Sequence, residues 1–289
     1  MENNDDKILV IGATGHIGRA LIDRLGKSVN QSPLRALVRR PSAAKFSAGV
    51  EVVAGDLTDL DSLEAALAGV GRVFLIWPLG NAESADAVVS VIARSVRRVV
   101  YLSAIGVRDD SAEAPDPILQ FHTDIERTLR ATQMEWTFVR SGGMATNTLG
   151  WAGQVRASST VRWVYGDAAR ALTHEADLAE IAETALVTDR LIGAAPQITG
   201  SSVLTQREQA AQIGSAIGRP VTWFEVPIDD ARDRLMASGW SRAMADGALR
   251  AWAHTIDNPE VPTDDFFDIT GRAARDFRRW TIDHAEDFR

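Results

Sequence analysis

Residues 8–19 read Ile8-Leu9-Val10-Ile11-Gly12-Ala13-Thr14-Gly15-His16-Ile17-Gly18-Arg19, an apolar run followed by three evenly spaced glycines. Four consecutive apolar residues suit a strand buried on both faces, as in a parallel sheet. Glycines at every third position then lead into Ile17, Ala20, Leu21 and Leu25, a spacing that lines one face of a helix. In such a strand–turn–helix unit Gly12 permits the tight turn, and Gly15 lets the backbone approach a pyrophosphate. Gly18 lets the helix pack closely on the strand. The start of the helix supplies N–H groups and the positive end of its dipole to phosphates. The stretch predicts a dinucleotide-binding βα unit; the plainer reading is a glycine-rich turn without a ligand.

Further along, Leu34–Val38, Val50–Val53, Arg72–Ile76, Val99–Ser103 and Trp136–Val139 read as strands. They alternate with helical spacings such as Leu63-Ala66-Leu67. Strands alternating with helices of this length predict βαβ units, hence an α/β fold with a Rossmann-type doubly wound parallel sheet. After Gly150 the rhythm loosens. Ala171–His174 suggests a short strand and Asp177–Val187 a helix. Thr205-Gln206-Arg207-Glu208 is a capping box whose helix runs to Gly218, and Val221–Val226 suggests another strand. The expected division is residues 1–150 as a nucleotide-binding Rossmann domain and 151–289 as a smaller C-terminal α/β lobe for substrate or partner, with some segments returning to the sheet. The arginines of 272–275 and 277–280 read as the solvated face of an amphipathic helix.

Composition narrows the function. The 289 residues are 45% hydrophobic and 24% charged, and none is cysteine, which removes disulfides, thiolate nucleophiles and zinc–thiolate sites. The net charge of −8 carries no basic footprint for nucleic acid. No apolar run approaches the ~20 residues of a membrane span. The acidic start, Met1-Glu2-Asn3-Asn4-Asp5-Asp6, does not resemble a signal or transit peptide, so a cytoplasmic protein is expected. No metal site is expected.

The nucleotide is chosen at the end of the second strand. A carboxylate about 20 residues beyond the glycines would bond a ribose 2′-hydroxyl. Here the chain reads Leu37-Val38-Arg39-Arg40-Pro41 instead. A guanidinium grips a 2′-phosphate through two parallel N–H bonds, so NADP(H) is preferred over NAD(H). The third strand ends Ala54-Gly55-Asp56-Leu57, which sets Asp56 and Leu57 beside the adenine; Asp56 also suits the cap of the next helix.

Gly12–Gly18 together with Val38-Arg39-Arg40-Pro41, Gly55-Asp56-Leu57-Thr58-Asp59 and Leu102-Ser103-Ala104-Ile105-Gly106 resembles the NmrA-like family of the atypical short-chain dehydrogenase/reductase superfamily. His122-Thr123-Asp124-Ile125-Glu126 and Arg140-Ser141-Gly142-Gly143-Met144 extend the resemblance. It implies that Gly12, Thr14, Gly15, His16, Ile17 and Gly18 hold the pyrophosphate and Arg39, with Arg40, the 2′-phosphate. It further implies that Trp77 and Pro78 border the nicotinamide ribose, and that Ser103, Ala104, Gly142 and Gly143 approach the nicotinamide.

The main branch of that superfamily carries out proton transfer with a tyrosine and a lysine four residues apart on one helix. This chain has only Tyr101 and Tyr165, and its only lysines are Lys7, Lys27 and Lys45, so that pair is absent. The matching helix carries His122 and Glu126, four apart and on one face. Either His122 donates a proton, with the carboxylate raising its pKa, or the two form a structural pair. A missing acid matters least where hydride enters a conjugated system that spreads the charge. The expected activity is hydride transfer from NADP(H) to a small planar conjugated carbonyl such as a quinone. Trp77, Phe121, Met144, Trp151 and Trp163 are candidate apolar walls or plain core. The alternative is a non-catalytic NADP(H)-sensing regulator acting through a protein partner. An epimerase or dehydratase needs the missing pair, and a serine hydrolase needs a Gly-x-Ser-x-Gly elbow the chain lacks.

Overall fold

The computed structural model describes residues 7–28, 32–108 and 116–289. The opening stretch forms β1 (Lys7–Ile11), a turn, and α1 (His16–Leu25). The alternation continues through β2 (Leu34–Val38), β3 (Val50–Ala54), α2 (Leu60–Ala66), β4 (Val70–Leu75) and α3 (Ala85–Ala93). Next come β5 (Arg98–Ala104), α4 (Pro117–Arg130) and β6 (Glu135–Ser141). Beyond them lie α5 (Ala152–Ser158), β7 (Thr160–Trp163), β8 (Ala169–Arg170), α6 (Glu175–Val187), β9 (Gln197–Ile198) and β10 (Leu204–Thr205). The chain ends with α7 (Gln206–Ile217), β11 (Thr222–Glu225), α8 (Ile228–Ala237), α9 (Arg242–Asp257), α10 (Asp265–Thr270), α11 (Phe277–Asp283) and α12 (Ala285–Phe288).

Seven strands form one sheet in the order β3-β2-β1-β4-β5-β6-β9, and the pairings of β1 with β2 and β4, β2 with β3, and β4 with β5 are parallel. Leu9, Val73, Leu75, Val99 and Tyr101 join Leu63, Val88, Ile92, Ile125 and Leu129 in one apolar cluster. The alternate residues Ile8, Val10, Phe74 and Val100 are fully buried too. A sheet covered on both faces explains the apolar runs Ile8–Ile11, Val73–Leu75 and Val99–Leu102. The order reverses at β1, whose neighbours are β2 and β4. Such switch points form the ligand crevices of open α/β sheets, outside the carboxyl ends of the strands.

The chain divides into two compact units: residues 1–115, 119–140 and 178–196 form the first, and 116–118, 141–177 and 197–289 the second. The segment 178–196 joins the first unit through buried arginines at the strand starts. Arg72 Nη1 donates to the Leu186 carbonyl at 3.0 Å, and Arg98 Nη1 to those of Ala185 and Thr188 at 3.1 and 2.6 Å. These are carbonyls at the end of α6 that no helical N–H satisfies.

In the second unit β7 pairs with β11 in parallel and β8 with β10 antiparallel. The capping box at Thr205 forms, and α7 ends at Gly218 in the left-handed conformation (φ +76°). Two expectations fail. Residues 171–174 are not a strand, because the pairing does not extend past one parallel bridge: Thr173 N donates to the Gly143 carbonyl and Ala145 N to that of Thr173, while Gly200 N donates to that of Ala171. Nor is Arg275 a solvated helical residue. It lies ahead of α11 and pairs with the fully buried carboxylate of Asp177, whose other oxygen accepts from the Arg275 N–H at 2.7 Å. Among the described residues no helix is long and apolar enough to cross a membrane. Nor does any group of three His, Cys, Asp or Glu among them have the placement of a metal site.

Candidate functional site

The glycine turn leaves β1 at the switch point. Gly12 has φ +83°, a region that glycine tolerates, and a Cβ there would lie 2.8 Å from Ile76 Cβ. At Gly18 a Cβ would meet the Gly12 carbonyl oxygen at 2.3 Å, so helix and turn touch backbone to backbone. Gly15 differs: its Cβ position has only the Gly12 oxygen nearby, at 3.4 Å, and Thr14, Gly15 and His16 face outward. Helix α1 begins after Gly15, which has no side chain to cap it. Ile17 and Gly18 are buried beneath it. The turn presents an open, backbone-lined cradle at a helix start, which is what a pyrophosphate requires.

Around it stand the other strand ends of the first unit. Arg39 and Arg40 are exposed past β2, and Arg39 makes no hydrogen bond among the described residues. Asp56 follows β3, half-buried. The backbone and hydroxyl of Thr58 donate to Asp56 Oδ1 at 2.9 and 2.8 Å and, with help from the Arg39 charge, hold its carboxyl below the usual range. It is not the cap of α2; that role falls to Asp59, which accepts from Ser62 N at 3.3 Å. Leu57 and Trp77 are core residues, 3% and 7% exposed, and the Trp77 indole donates to the Asn81 carbonyl; Pro78 is exposed. Gly142 and Gly143 belong to the second unit. Gly142 N donates to the Ile198 carbonyl, and Gly143 lies under the guanidinium of Arg170, 2.6 Å from its Cζ at the Cβ position. Met144, Trp151 and Trp163 belong to that unit as well.

The end of β5 meets α4 through two hydrogen bonds. Tyr101 and Ser103, two apart, share a face of the strand, and His122 and Glu126, four apart, share a face of the helix. Tyr101 Oη lies 2.6 Å from His122 Nδ1, and Ser103 Oγ donates to Glu126 Oε1 at 2.6 Å. Ala104 closes the strand, half-buried.

Glu126 does not serve His122. Its carboxylate is held by Arg140 of β6, Nε to Oε1 at 3.0 Å and Nη2 to Oε2 at 2.6 Å, with Arg130 Nη2 at 3.3 Å. Glu126, Ser103 and Arg140 are 2%, 2% and 7% exposed. The expectation that Glu126 raises the His122 pKa is therefore corrected. His122 keeps some exposure, but its ring is packed on Phe121 at 4.2 Å between centroids and tilted on Tyr101 at 5.7 Å. Desolvation lowers its pKa from 6.5 to about 4. Burial, reinforced by the Glu126 charge, raises Tyr101 well above the ordinary tyrosine value.

At neutral pH both partners are thus uncharged. Among the described residues His122 Nδ1 is the one partner of the Tyr101 hydroxyl, which donates in that bond when the imidazole proton is on Nε2. His122 Nε2 makes no hydrogen bond among the described residues. Sequence reading missed Tyr101 and Arg140. The alternation Tyr101–Ser103 pointed to a polar face on a buried strand, and an arginine in Phe138-Val139-Arg140-Ser141 pointed to a buried counter-charge.

The family model for NAD(P)H-binding proteins matches residues 12–186, from the glycine turn to the end of α6. The chain belongs to the NAD(P)H-binding family. A (4-alkanoyl-5-oxo-2,5-dihydrofuran-3-yl)methyl phosphate reductase of Streptomyces griseus is 37% identical over 286 residues, covering 97% of this chain and 99% of that one. An NAD(P)H azoreductase of Xenophilus azovorans is 29% identical over 289 residues, 97% and 99% of the two chains. The NADPH complex of an Escherichia coli quinone oxidoreductase shares the fold, with a TM-score of 0.76 at 24% identity over 95% and 98% of the chains. This member of the NAD(P)H-binding family is an NAD(P)H-dependent oxidoreductase. Its full-length relatives are named as reductases, which favours the enzyme over the sensor.

Proposed function

We propose that the protein reduces a small planar conjugated carbonyl compound, a quinone or an unsaturated lactone, and prefers NADPH to NADH. The observation that carries this reading is the neutral His122, bonded through Nδ1 to Tyr101 with Nε2 left without a partner among the described residues. A neutral imidazole carries no charge to neutralise an oxyanion, but it donates a hydrogen bond to one as it develops. That is sufficient where the charge is shared over an enolate or a hydroquinone anion. The nicotinamide, when bound, supplies the hydride to the electrophilic carbon and is left oxidised. His122 stabilises the oxygen on which charge collects, and water supplies the proton that completes the product. Named substrates of relatives fit this chemistry: a 4-alkanoyl-5-oxo-dihydrofuran carries two carbonyls on one C=C, and the azoreductase acts on a conjugated N=N system.

The preference for NADPH rests on Arg39 and Arg40, both exposed past β2, where the sequence has no acid directly after the strand. Asp56 and Leu57 flank the adenine in this reading, and Trp77 and Pro78 stand by the nicotinamide ribose. Gly142 and Gly143 approach the nicotinamide itself. A cytoplasmic location goes with it. The test is NADPH oxidation against quinones, enones and unsaturated lactones with wild type and His122→Ala. Saturable turnover is expected, with kcat lower by about 10²-fold in the variant and NADPH affinity unchanged. Tight NADPH binding without turnover on any compound would refute the reading.

A further inference from the structure

We propose that Tyr101 is a positioning residue: its hydroxyl, donated to Nδ1, holds His122 as the Nε2–H tautomer and so keeps the proton on the nitrogen open to an acceptor. The proposal rests on the reading of His122 as the oxyanion donor. It explains what a fully buried tyrosine does in the middle of β5, where phenylalanine would pack as well and carry no hydroxyl to satisfy.

An isolated neutral imidazole has two tautomers of similar energy, and in a protein the hydrogen bond made by one nitrogen selects the proton position on the other. Here the bond is short, 2.6 Å, and the tyrosine that makes it is held in place. The Tyr101 ring is 0% exposed and packs edge-on against Phe138 at 6.3 Å between centroids. The hydroxyl has His122 Nδ1 as its one partner among the described residues, so turning it away strands a buried donor. Helix α4 is held in register by a second bond: Ser103, two residues along the same strand, donates to Glu126, one turn along the same helix. Glu126 is in turn clamped by Arg140. The imidazole can neither slide along the strand nor flip without breaking a buried hydrogen bond. Tyr101 gives up no proton in turnover, since a tyrosinate at this depth would be an unpaired buried charge. It acts by orientation alone.

The measurement is the pair of ¹⁵N chemical shifts of the His122 ring in the cofactor-free protein, assigned by difference from His122→Gln. Expected are one protonated nitrogen, Nε2, and one bare nitrogen, Nδ1. In Tyr101→Phe, which keeps the ring and its packing, the two signals move toward each other as the second tautomer becomes populated. The same variant should lower kcat about threefold to tenfold, the worth of one hydrogen bond, with KM for NADPH within twofold of wild type. A proton on Nδ1 in the wild type overturns the proposal, and so does a tautomer unchanged in Tyr101→Phe. A purely structural role would alter stability and leave the shifts alone. Failure of the underlying reading appears separately, as His122→Ala with undiminished kcat.

Discussion

Replacing Glu126 by glutamine removes one charge and almost no volume, which isolates the electrostatics beneath the candidate site. In the wild type the carboxylate accepts from Arg140 at 3.0 and 2.6 Å, from Ser103 at 2.6 Å and from Arg130 at 3.3 Å. The Glu126 and Arg140 side chains are 3% and 8% exposed, so water cannot replace the lost charge. Removing one partner of a buried ion pair costs about 3–5 kcal/mol, because the other charge is left without compensation. Glutamine retains one acceptor oxygen for Ser103 or Arg140, which places the expected cost near ~3 kcal/mol. At ~2–4 °C per kcal/mol for chains of comparable size, unfolding should drop by on the order of 10 °C. Circular dichroism on heating and in urea measures this directly. The double variant Glu126→Gln/Arg140→Met should be more stable than the single, since an apolar side chain of similar length leaves no buried charge behind. A loss below ~1 kcal/mol in Glu126→Gln, or a double variant less stable than the single, would refute the account of this network.

Gly18→Ala would press a Cβ to 2.3 Å from the Gly12 oxygen and 2.9 Å from Ala13 Cα, both backbone atoms. It should destabilise the fold by about 1–3 kcal/mol and weaken NADPH binding, read by calorimetry of both processes. Arg39→Ala should weaken NADPH by about tenfold and leave NADH nearly unaffected, and equal losses for the two cofactors would remove the 2′-phosphate assignment. His122 contributes a pH slope of known sign. Its folded pKa of about 4 lies below its unfolded value of 6.5, so the unfolded chain takes up the proton first and stability falls as pH drops through that window. Between pH 7 and pH 5 the loss is about 2 kcal/mol, and His122→Gln should remove that part of the slope in urea titrations.

The cluster at the C-terminus predicts an opposite trend. Burial alone would raise the Glu175 carboxyl, but hydrogen bonds from His174 and His284 outweigh it and hold it far below the usual range. Burial likewise lowers His284, and its bonds to Glu175 and Asp287 at 2.6 and 2.8 Å more than reverse that. The His284 contribution is complete below pH 6.5 and lost as pH rises through its raised value; that of Glu175 is present above pH 4.5 and lost in stronger acid. Glu175→Gln, which leaves the Trp280 indole an acceptor, should therefore cost most stability between pH 4.5 and 6.5.

Local chemistry was legible in the one-dimensional chain. The glycines at 12, 15 and 18 with their flanking apolar runs define the first βα unit because each requirement is met within twelve residues. Strand alternation gives the doubly wound sheet for the same reason, since burial on both faces writes itself as continuous apolar runs. The capping box at Thr205 is contained in four residues. His122 and Glu126 were also found, as neighbours on one helical face.

Their partners were not, because partnership depends on which strand packs against that face. Spacing alone pairs His122 with Glu126. The sheet order instead sets Tyr101 and Ser103 of β5 against the helix and brings Arg140 across from β6. Glu126 then compensates a buried guanidinium, and His122 turns to a buried hydroxyl. A four-residue spacing cannot rank these competitors, since the bidentate Arg140 contact exists only once β5 and β6 are neighbours. The same holds for Arg275, solvated by composition and ion-paired by the position of Asp177. Periodicity along the chain settled the elements. The protonation state and hydrogen-bond direction of the candidate donor were decided by desolvation and by groups that only folding assembles.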